Sequence, residues 1–175
     1  APEGYASLMD EYEITVTPGA VSGTRVAIKD ADGNQIKRIG DTIVVFNEKT
    51  YDLNLLKADL DVNKDIVTKG SVTLGAVKTP LNGARFRLAL ASNAAVSYSA
   101  VTGENVASLG SIVFKGLKSG TYVLTEEAAP GGYNSVANSY TIVVTASAIE
   151  NGFKIKNPKD GEIRELDETV VVFNK

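Results

Sequence analysis

Apolar and polar residues alternate with a period of two in short runs along the whole chain. Tyr12-Glu13-Ile14-Thr15-Val16, Arg25-Val26-Ala27-Ile28 and Arg85-Phe86-Arg87-Leu88 show the pattern, and Tyr140 to Val144 is aromatic or β-branched throughout. Each run reads as a strand with one face turned to a core. Turn chemistry separates them: Asp32-Gly33-Asn34 and Asp160-Gly161 are hairpin signals, and Pro80, Lys118-Ser119-Gly120 and Gly131-Gly132 break other runs. The segment from Asn54 to Asp65 is ambiguous, since its leucines also suit a short helix. Many short strands, with no long segment of period 3.6, predict an all-β sandwich.

An internal repeat sets the domain organisation. APEGYASLMDEYEITVTPGAV at the N-terminus matches APGGYNSVANSYTIVVTASAI from Ala129, with ten identities over residues 1–22 and their counterparts 128 positions later. Average composition predicts roughly one or two. After a slip of one residue the ends agree as well, DTIVVFN closing at Asn47 and ETVVVFN at Asn174. Residues 48–175 are therefore expected to form a complete unit, and residues 1–47 the C-terminal part of a preceding one. Three short strands without partners bury little apolar surface, so residues 1–47 are expected to pair with something. A swap in which they compete with 129–175 for the same sheet is the less favoured arrangement, because the contiguous tail has the higher effective concentration.

Composition narrows the chemistry. The 175 residues include no His and no Cys. That excludes Ser-His-Asp and Cys-His nucleophiles, thiolate zinc sites and disulfides. A net charge of −3 with basic residues scattered singly gives no footprint for nucleic acid. No apolar run approaches the roughly 18 residues needed to cross a bilayer. The N-terminus Ala1-Pro2-Glu3-Gly4-Tyr5 lacks the charged and apolar regions of a signal peptide, as expected of a cytosolic protein or of a mature or cut-down piece of an exported one. Asp59-Leu60-Asp61-Val62-Asn63 opens like a calcium loop, but position six is Lys64 and position twelve Gly70, so a solvated acidic turn is expected and no metal or other cofactor. The adjacent carboxylates Glu126 and Glu127 point to opposite faces of a strand and cannot flank one glycosidic bond.

Within the complete unit three pieces occur in order: Pro80-Leu81-Asn82-Gly83-Ala84-Arg85-Phe86, then Phe114-Lys115-Gly116-Leu117 with Gly120-Thr121-Tyr122-Val123-Leu124-Thr125-Glu126, then Ala129-Pro130-Gly131-Gly132-Tyr133. The ordered set PLxGAxF, GLxxGxYxLxE, APxGY resembles the CnaB-type domain of Gram-positive surface proteins, found in sortase-assembled pilin subunits and adhesin stalks. The resemblance implies an Ig-like, transthyretin-like β-sandwich. It also implies a spontaneous isopeptide bond between a lysine on the first strand and an asparagine on the last, beside a catalytic glutamate. Carried onto this chain, the glutamate is Glu126 and the asparagine Asn174. Tyr51 to Asp59 resembles the opening strand, so the resemblance makes Tyr51 to Ala58 a strand rather than a helix and Lys57 the nucleophile. Family members place this lysine about ten residues before the LxGA segment, so an insertion, Leu60 to Lys78, is assumed. A rival alignment starts the domain at Ser71-Val72-Thr73-Leu74-Gly75-Ala76, puts Gly75 or Ala76 at the lysine position and leaves no bond. Asn47, which also closes a VVFN run, is a candidate acceptor for the incomplete repeat.

An amide can form only from a neutral amine, whereas a free lysine titrates near pH 10.4. Burial among Leu55, Phe86, Phe114, Tyr122 and Phe173 is expected to favour that neutral form. Glu126, on the inward face with Tyr122 and Leu124, would donate to the Asn174 carboxamide oxygen and then carry a proton from the attacking nitrogen to departing ammonia. The only catalysis expected is this single intramolecular turnover, not an enzyme activity on an external substrate. The resemblance therefore implies a rigid module of a pilus shaft or adhesin stalk. It would be extracellular on the cell wall or pilus, with neighbouring pilin or surface-protein subunits as partners, no nucleic acid and no membrane insertion. The alternative is an adhesive module whose loops, Leu60 to Lys78 or Asn93 to Gly110, meet a host matrix protein or glycan.

Overall fold

The computed structural model describes residues 1–7, 12–29, 36–68, 72–135, 139–156 and 162–175. The two expected hairpin tips at Asp32-Gly33-Asn34 and Asp160-Gly161 lie outside the described residues. The chain divides into two compact units, Ala1–Thr50 and Tyr51–Lys175, three residues beyond the boundary expected at Asn47.

In the first unit β1 (Glu13–Val16) pairs antiparallel with β2 (Val26–Lys29), and β3 (Ile36–Ile39) with β4 (Thr42–Val45). Polar ties hold the connections. The exposed Asp41 carboxylate accepts from the backbone N–H of Gly23 and Arg25 at 2.8 and 2.9 Å, and those bonds hold its pKa below the usual carboxylate range. The N-terminal turn closes from Tyr5 N–H to the Pro2 carbonyl, and Ala6 N–H reaches the Glu48 carbonyl at 2.8 Å.

The second unit is a two-sheet sandwich. One sheet has the order β11-β10-β9-β6-β7, from β6 (Arg85–Leu90), β7 (Asn93–Val101), β9 (Gly120–Ala128), β10 (Tyr140–Ala146) and β11 (Asn151–Lys156). The other has the order β12-β13-β5-β8, from β5 (Tyr51–Asp59), β8 (Ser111–Leu117), β12 (Ile163–Leu166) and β13 (Thr169–Asn174). Every pairing is antiparallel except β5 with β13, which run side by side in parallel. Alternation does the sorting: Tyr122 and Leu124 of β9, Tyr140, Ile142 and Val144 of β10, and Leu53 and Leu55 of β5 all enter one core with Phe86 and Phe114.

Strand β13, and β5 from Leu55 to Ala58, are buried on both faces, which is why Val170-Val171-Val172-Phe173 is an unbroken apolar run. Val170 and Val172 face the sandwich core. Val171 and Phe173 face outward, into a second cluster with Leu56, Ala58, Ile66 and Leu166. Covering that outer face is the work of the segment between β5 and β6. After Asp59 the chain leaves the sheet through a 3-10 turn, Asp61–Asn63, and a short helix α1 (Lys64–Thr68), so the ambiguous leucine segment is strand first and helix second. Asp59 Oδ1 accepts from the N–H of Asp61 and Val62 and starts the turn, which gives the failed calcium motif its structural role. Buried Asn63 bonds both ways with Lys78, at 2.7 and 2.9 Å, and pins the two ends of the segment together. Leu60 and Val67, and beyond them Val72, Leu74 and Val77, pack partly buried on the cluster, while Val62 is exposed. The Asn93 to Gly110 stretch, read as a loop, begins with nine residues of edge strand β7. No helix among the described residues is long and apolar enough to cross a membrane.

Candidate crosslink site

Lys57, Glu126 and Asn174 meet at one end of the sandwich core. Lys57 stands on β5 in register with Val172 of the parallel strand β13, and Asn174 lies two residues further along β13 on the same face. Glu126 comes across from β9 in the opposite sheet, with Tyr122 and Leu124 turned the same way and Glu127 exposed. Lys57 is wholly buried, and Glu126 and Asn174 nearly so.

The polar atoms of the three side chains meet one another. Lys57 Nζ donates to Asn174 Oδ1 and stands 3.2 Å from Glu126 Oε1. Asn174 Nδ2 donates to both carboxylate oxygens of Glu126, at 3.0 and 3.1 Å. The Phe86 ring lies 5.6 Å from the ammonium, a cation–π distance. Burial pulls the Lys57 pKa down from 10.5 to about 8, while the charge and hydrogen bond of Glu126 and, further off, the charge of Glu162 oppose the shift.

Two details differ from the sequence reading. Phe173 belongs to the outer cluster and not to the lysine's surroundings, because on β13 it alternates with Val172 and Asn174. The carboxamide also presents Nδ2, not Oδ1, to Glu126. An ammonium only donates and a carboxylate only accepts, so the amide turns its oxygen to the first and its nitrogen to the second.

The surrounding motifs position the lysine through its backbone. Lys57 N–H donates to the Gly110 carbonyl at 2.8 Å and the Lys57 carbonyl accepts from Leu81 N–H at 2.9 Å. In the PLxGA piece Asn82 Oδ1 accepts from Gly110 N–H, and the buried Thr102 hydroxyl links the Leu81 carbonyl to Ala84 N–H. Gly110 has φ +69°, and a Cβ there would stand 2.7 Å from the Lys57 carbonyl oxygen and from Pro80 Cβ. In the APxGY piece Tyr133 donates its hydroxyl to Asp59 Oδ2 at 2.8 Å, and Asn134 N–H reaches the Lys175 carbonyl, so this turn ties the ends of β5 and β13. At the rival lysine position Leu74–Ala76 forms a 3-10 turn rather than a strand. Asn47 belongs to the first unit, half-buried just after β4.

Sequence reading missed a second polar pair beside the site. Tyr140 donates to Glu162 Oε2 at 2.7 Å, and Glu162 lines, with Asn174, Thr68, Asn134, Ser135 and Lys175, a cleft of about 570 Å³. Burial and the neighbouring carboxylate raise the Tyr140 pKa above the usual phenol value. Alternation already turned Tyr140 inward with Ile142 and Val144, and a buried tyrosine calls for a hydroxyl partner, but nothing in the sequence nominated Glu162. Among the described residues no cluster of acidic or other side chains suited to a metal ion occurs.

Residues 70–159, just over half the chain, match the family described as SpaA, prealbumin-like fold domain. The chain belongs to that family. The CnaB-type resemblance drawn from the ordered motifs holds at this level, and the prealbumin-like fold agrees with the sandwich described above. Among solved structures, a C-terminal fragment of the pilus adhesin SpaC from Lactobacillus rhamnosus GG is similar at 20% identity and TM-score 0.47, over 97% of this chain and 60% of that one. The group B streptococcus pilus 2b backbone protein is similar at 23% identity and TM-score 0.43, over 98% and 51%. The pilus adhesin RrgA from Streptococcus pneumoniae gives 21% and 0.43, over 66% of this chain and 11% of its own length. This member of the SpaA family therefore spans less than two thirds of each of those chains. A search of curated proteins gave no match.

Proposed function

We propose that this SpaA-family chain is a structural module of a Gram-positive pilus subunit or adhesin stalk, made rigid by a Lys57–Asn174 isopeptide bond that forms under the action of Glu126. The observation that carries the reading is the burial of one lysine, one glutamate and one asparagine in mutual contact at the end of the hydrophobic core.

An ammonium and a carboxylate shut away from water are costly to keep, and each kind of pair survives burial only when its charges are well compensated. Passing the proton from Lys57 Nζ to Glu126 Oε1 across 3.2 Å removes both charges at once. The donor pattern then inverts. A protonated Glu126 has an O–H to give and a neutral amine has a lone pair to receive, so the carboxamide turns about Cβ–Cγ and offers Oδ1 to Glu126. With that oxygen polarised, the amine attacks Asn174 Cγ and a C–N bond forms. Glu126 gives its proton to Nδ2 and takes one from the attacking nitrogen, the old C–N bond breaks, and ammonia leaves. The open cleft beside Asn174 gives it a path to solvent. Lysine amine plus asparagine amide becomes one secondary amide plus ammonia, and nothing else is consumed.

The module is read as extracellular, with neighbouring pilin or surface-protein subunits as its partners. Intact mass tests the chemistry. The parent chain is expected to fall short of its sequence mass by one ammonia, and Lys57→Ala and Glu126→Ala to have their full sequence masses. A parent at full mass would remove the bond from the proposal.

A further inference from the structure

Hydrophobicity alone does not tell β13 which way to face. One side carries Val170, Val172 and Asn174, the other Thr169, Val171 and Phe173, and all six are buried. In the native register Val172 stands beside Lys57 and Phe173 beside Ala58 of β5. A slip of one residue would bring Phe173 beside Lys57 and Asn174 beside Ala58. Apolar side chains would still fill the core, but Asn174 would point to the outer cluster, away from Lys57 and Glu126. A directional contact has to choose between the two registers.

The β12–β13 hairpin makes two such contacts, and both end on the segment between β5 and β6. Arg164 of β12 donates through its guanidinium to the Ile66 carbonyl and, at 3.2 Å, to that of Val67, both in α1. Asp167 stands in the two-residue turn of the hairpin, where φ is +46° at Asp167 and +59° at Glu168, and its Oδ2 accepts from Leu74 N–H at 2.6 Å. The receiving segment is itself fixed at its two ends by the bonds between Asn63 and Lys78. In the slipped hairpin Arg164, which alternates with the core residue Ile163, would turn from α1 towards the core. Asp167 would shift by about 3.3 Å relative to Leu74 N–H.

We propose that Arg164 and Asp167 are positioning residues for the crosslink: they hold the β12–β13 hairpin against residues 60–78 in the one register that turns Asn174 to Lys57. Their effect on the bond rests on the Lys57–Asn174 reading, whereas their effect on register does not. The segment between β5 and β6 is then a template for the last strands as well as a cover for the outer cluster.

Two measurements on the full chain test this. Glycine and asparagine both suit the positive φ of Asp167, but only asparagine keeps a side-chain oxygen for Leu74 N–H, and lysine at 164 keeps a donor for α1. Timed intact mass, normalised to the folded fraction, is expected to show Arg164→Met with Asp167→Gly losing ammonia about fivefold more slowly than the parent, as when about one folded chain in five holds Asn174 in place. Arg164→Lys with Asp167→Asn is expected to stay within about twofold of the parent. Equal rates in all three chains, or a conservative pair as slow as the other, would overturn the proposal.

The second measurement reads register in the Lys57→Met background, where no crosslink can form. The chain has no cysteine, so Asn54→Cys with Thr169→Cys, neighbours across β5 and β13, reports the native register, and Asn54→Cys with Val170→Cys the slipped one. Under brief oxidation the first pair is expected to close and the second to stay open. With Arg164→Met and Asp167→Gly added, the slipped disulfide is expected to appear and the native one to decline, and an undiminished native disulfide would overturn the proposal. A parent at full mass would remove the crosslink reading alone and leave register to be decided by the disulfides.

Discussion

Replacing Lys57 by methionine separates the crosslink from the packing around it. Methionine keeps an unbranched apolar stem of similar length, fills the space beside Phe86, and leaves Asn174 Nδ2 bonded to Glu126 at 3.0 and 3.1 Å. What is lost is the closure of a 117-residue loop. The chain-entropy treatment of crosslinks makes a loop of that length worth about 5 kcal/mol. For a domain of this size that corresponds to a fall in Tm of about 15–25 °C. Differential scanning calorimetry of parent and Lys57→Met, each checked by intact mass, measures it. A linked Lys57 is an amide nitrogen and carries no ammonium, so the burial penalty that depresses the free amine's pKa from 10.5 to about 8 belongs to the unlinked chain and does not offset the loop term. A parent short by one ammonia whose Tm equals that of Lys57→Met would therefore refute the entropic account. A parent at full mass, no more stable than the variant, would refute the crosslink.

Because burial lowers the Lys57 pKa, the neutral amine is populated above about pH 8 and depleted below it. In the proposed step that proton must pass to Glu126 rather than to solvent, so the rate of ammonia loss after rapid refolding should be level just below about pH 8 and fall above it, and a rate that rises through pH 8 would show that Glu126 need not receive the proton. Gly110→Ala places a Cβ 2.7 Å from the Lys57 carbonyl at a backbone angle that side chains resist. A destabilisation of about 1–3 kcal/mol and slower bond formation are expected, by calorimetry and timed mass measurement. Tyr140→Phe leaves the Glu162 carboxylate without its 2.7 Å donor and should cost about 1–3 kcal/mol in denaturant unfolding, with the mass deficit retained. Pulled from its ends in a single-molecule experiment, the second unit should release no hidden length, whereas Lys57→Met should release on the order of 400 Å, the span of the 117-residue loop.

Period-two alternation made the sandwich legible. It placed Tyr122, Leu124 and Glu126 on one face and left Glu127 outside, and it turned Tyr140 inward. It misled at Phe173, since in a strand buried on both faces every residue is apolar and hydrophobicity no longer says which side is the core. The Leu60 to Lys78 segment was invisible as a cover because its pattern belongs to no single element: a turn, a short helix and another turn share one outer cluster. The meeting of Lys57 with Asn174 came from motif order, not from any local signal. A parallel pairing between the first and last strands of a unit is a long-range event that no window of sequence contains.

That parallel pairing also decides what a Lys57–Asn174 bond does mechanically. A pull on the second unit enters β5 at Tyr51 and leaves β13 at Lys175, so the two neighbouring strands are drawn along their length in opposite directions and their hydrogen bonds are loaded together. Such a shear interface resists better than one that unzips, yet hydrogen bonds still yield in time. Lys57 lies near the end of β5 and Asn174 closes β13. A covalent link there carries the load from Tyr51 along β5 to Lys57, across to Asn174 and out. The residues between them, among them the whole five-stranded sheet, are taken out of the load path. The sandwich then has a different task under tension. It bears no force itself, but keeps the amide buried and dry, away from the water that would hydrolyse it.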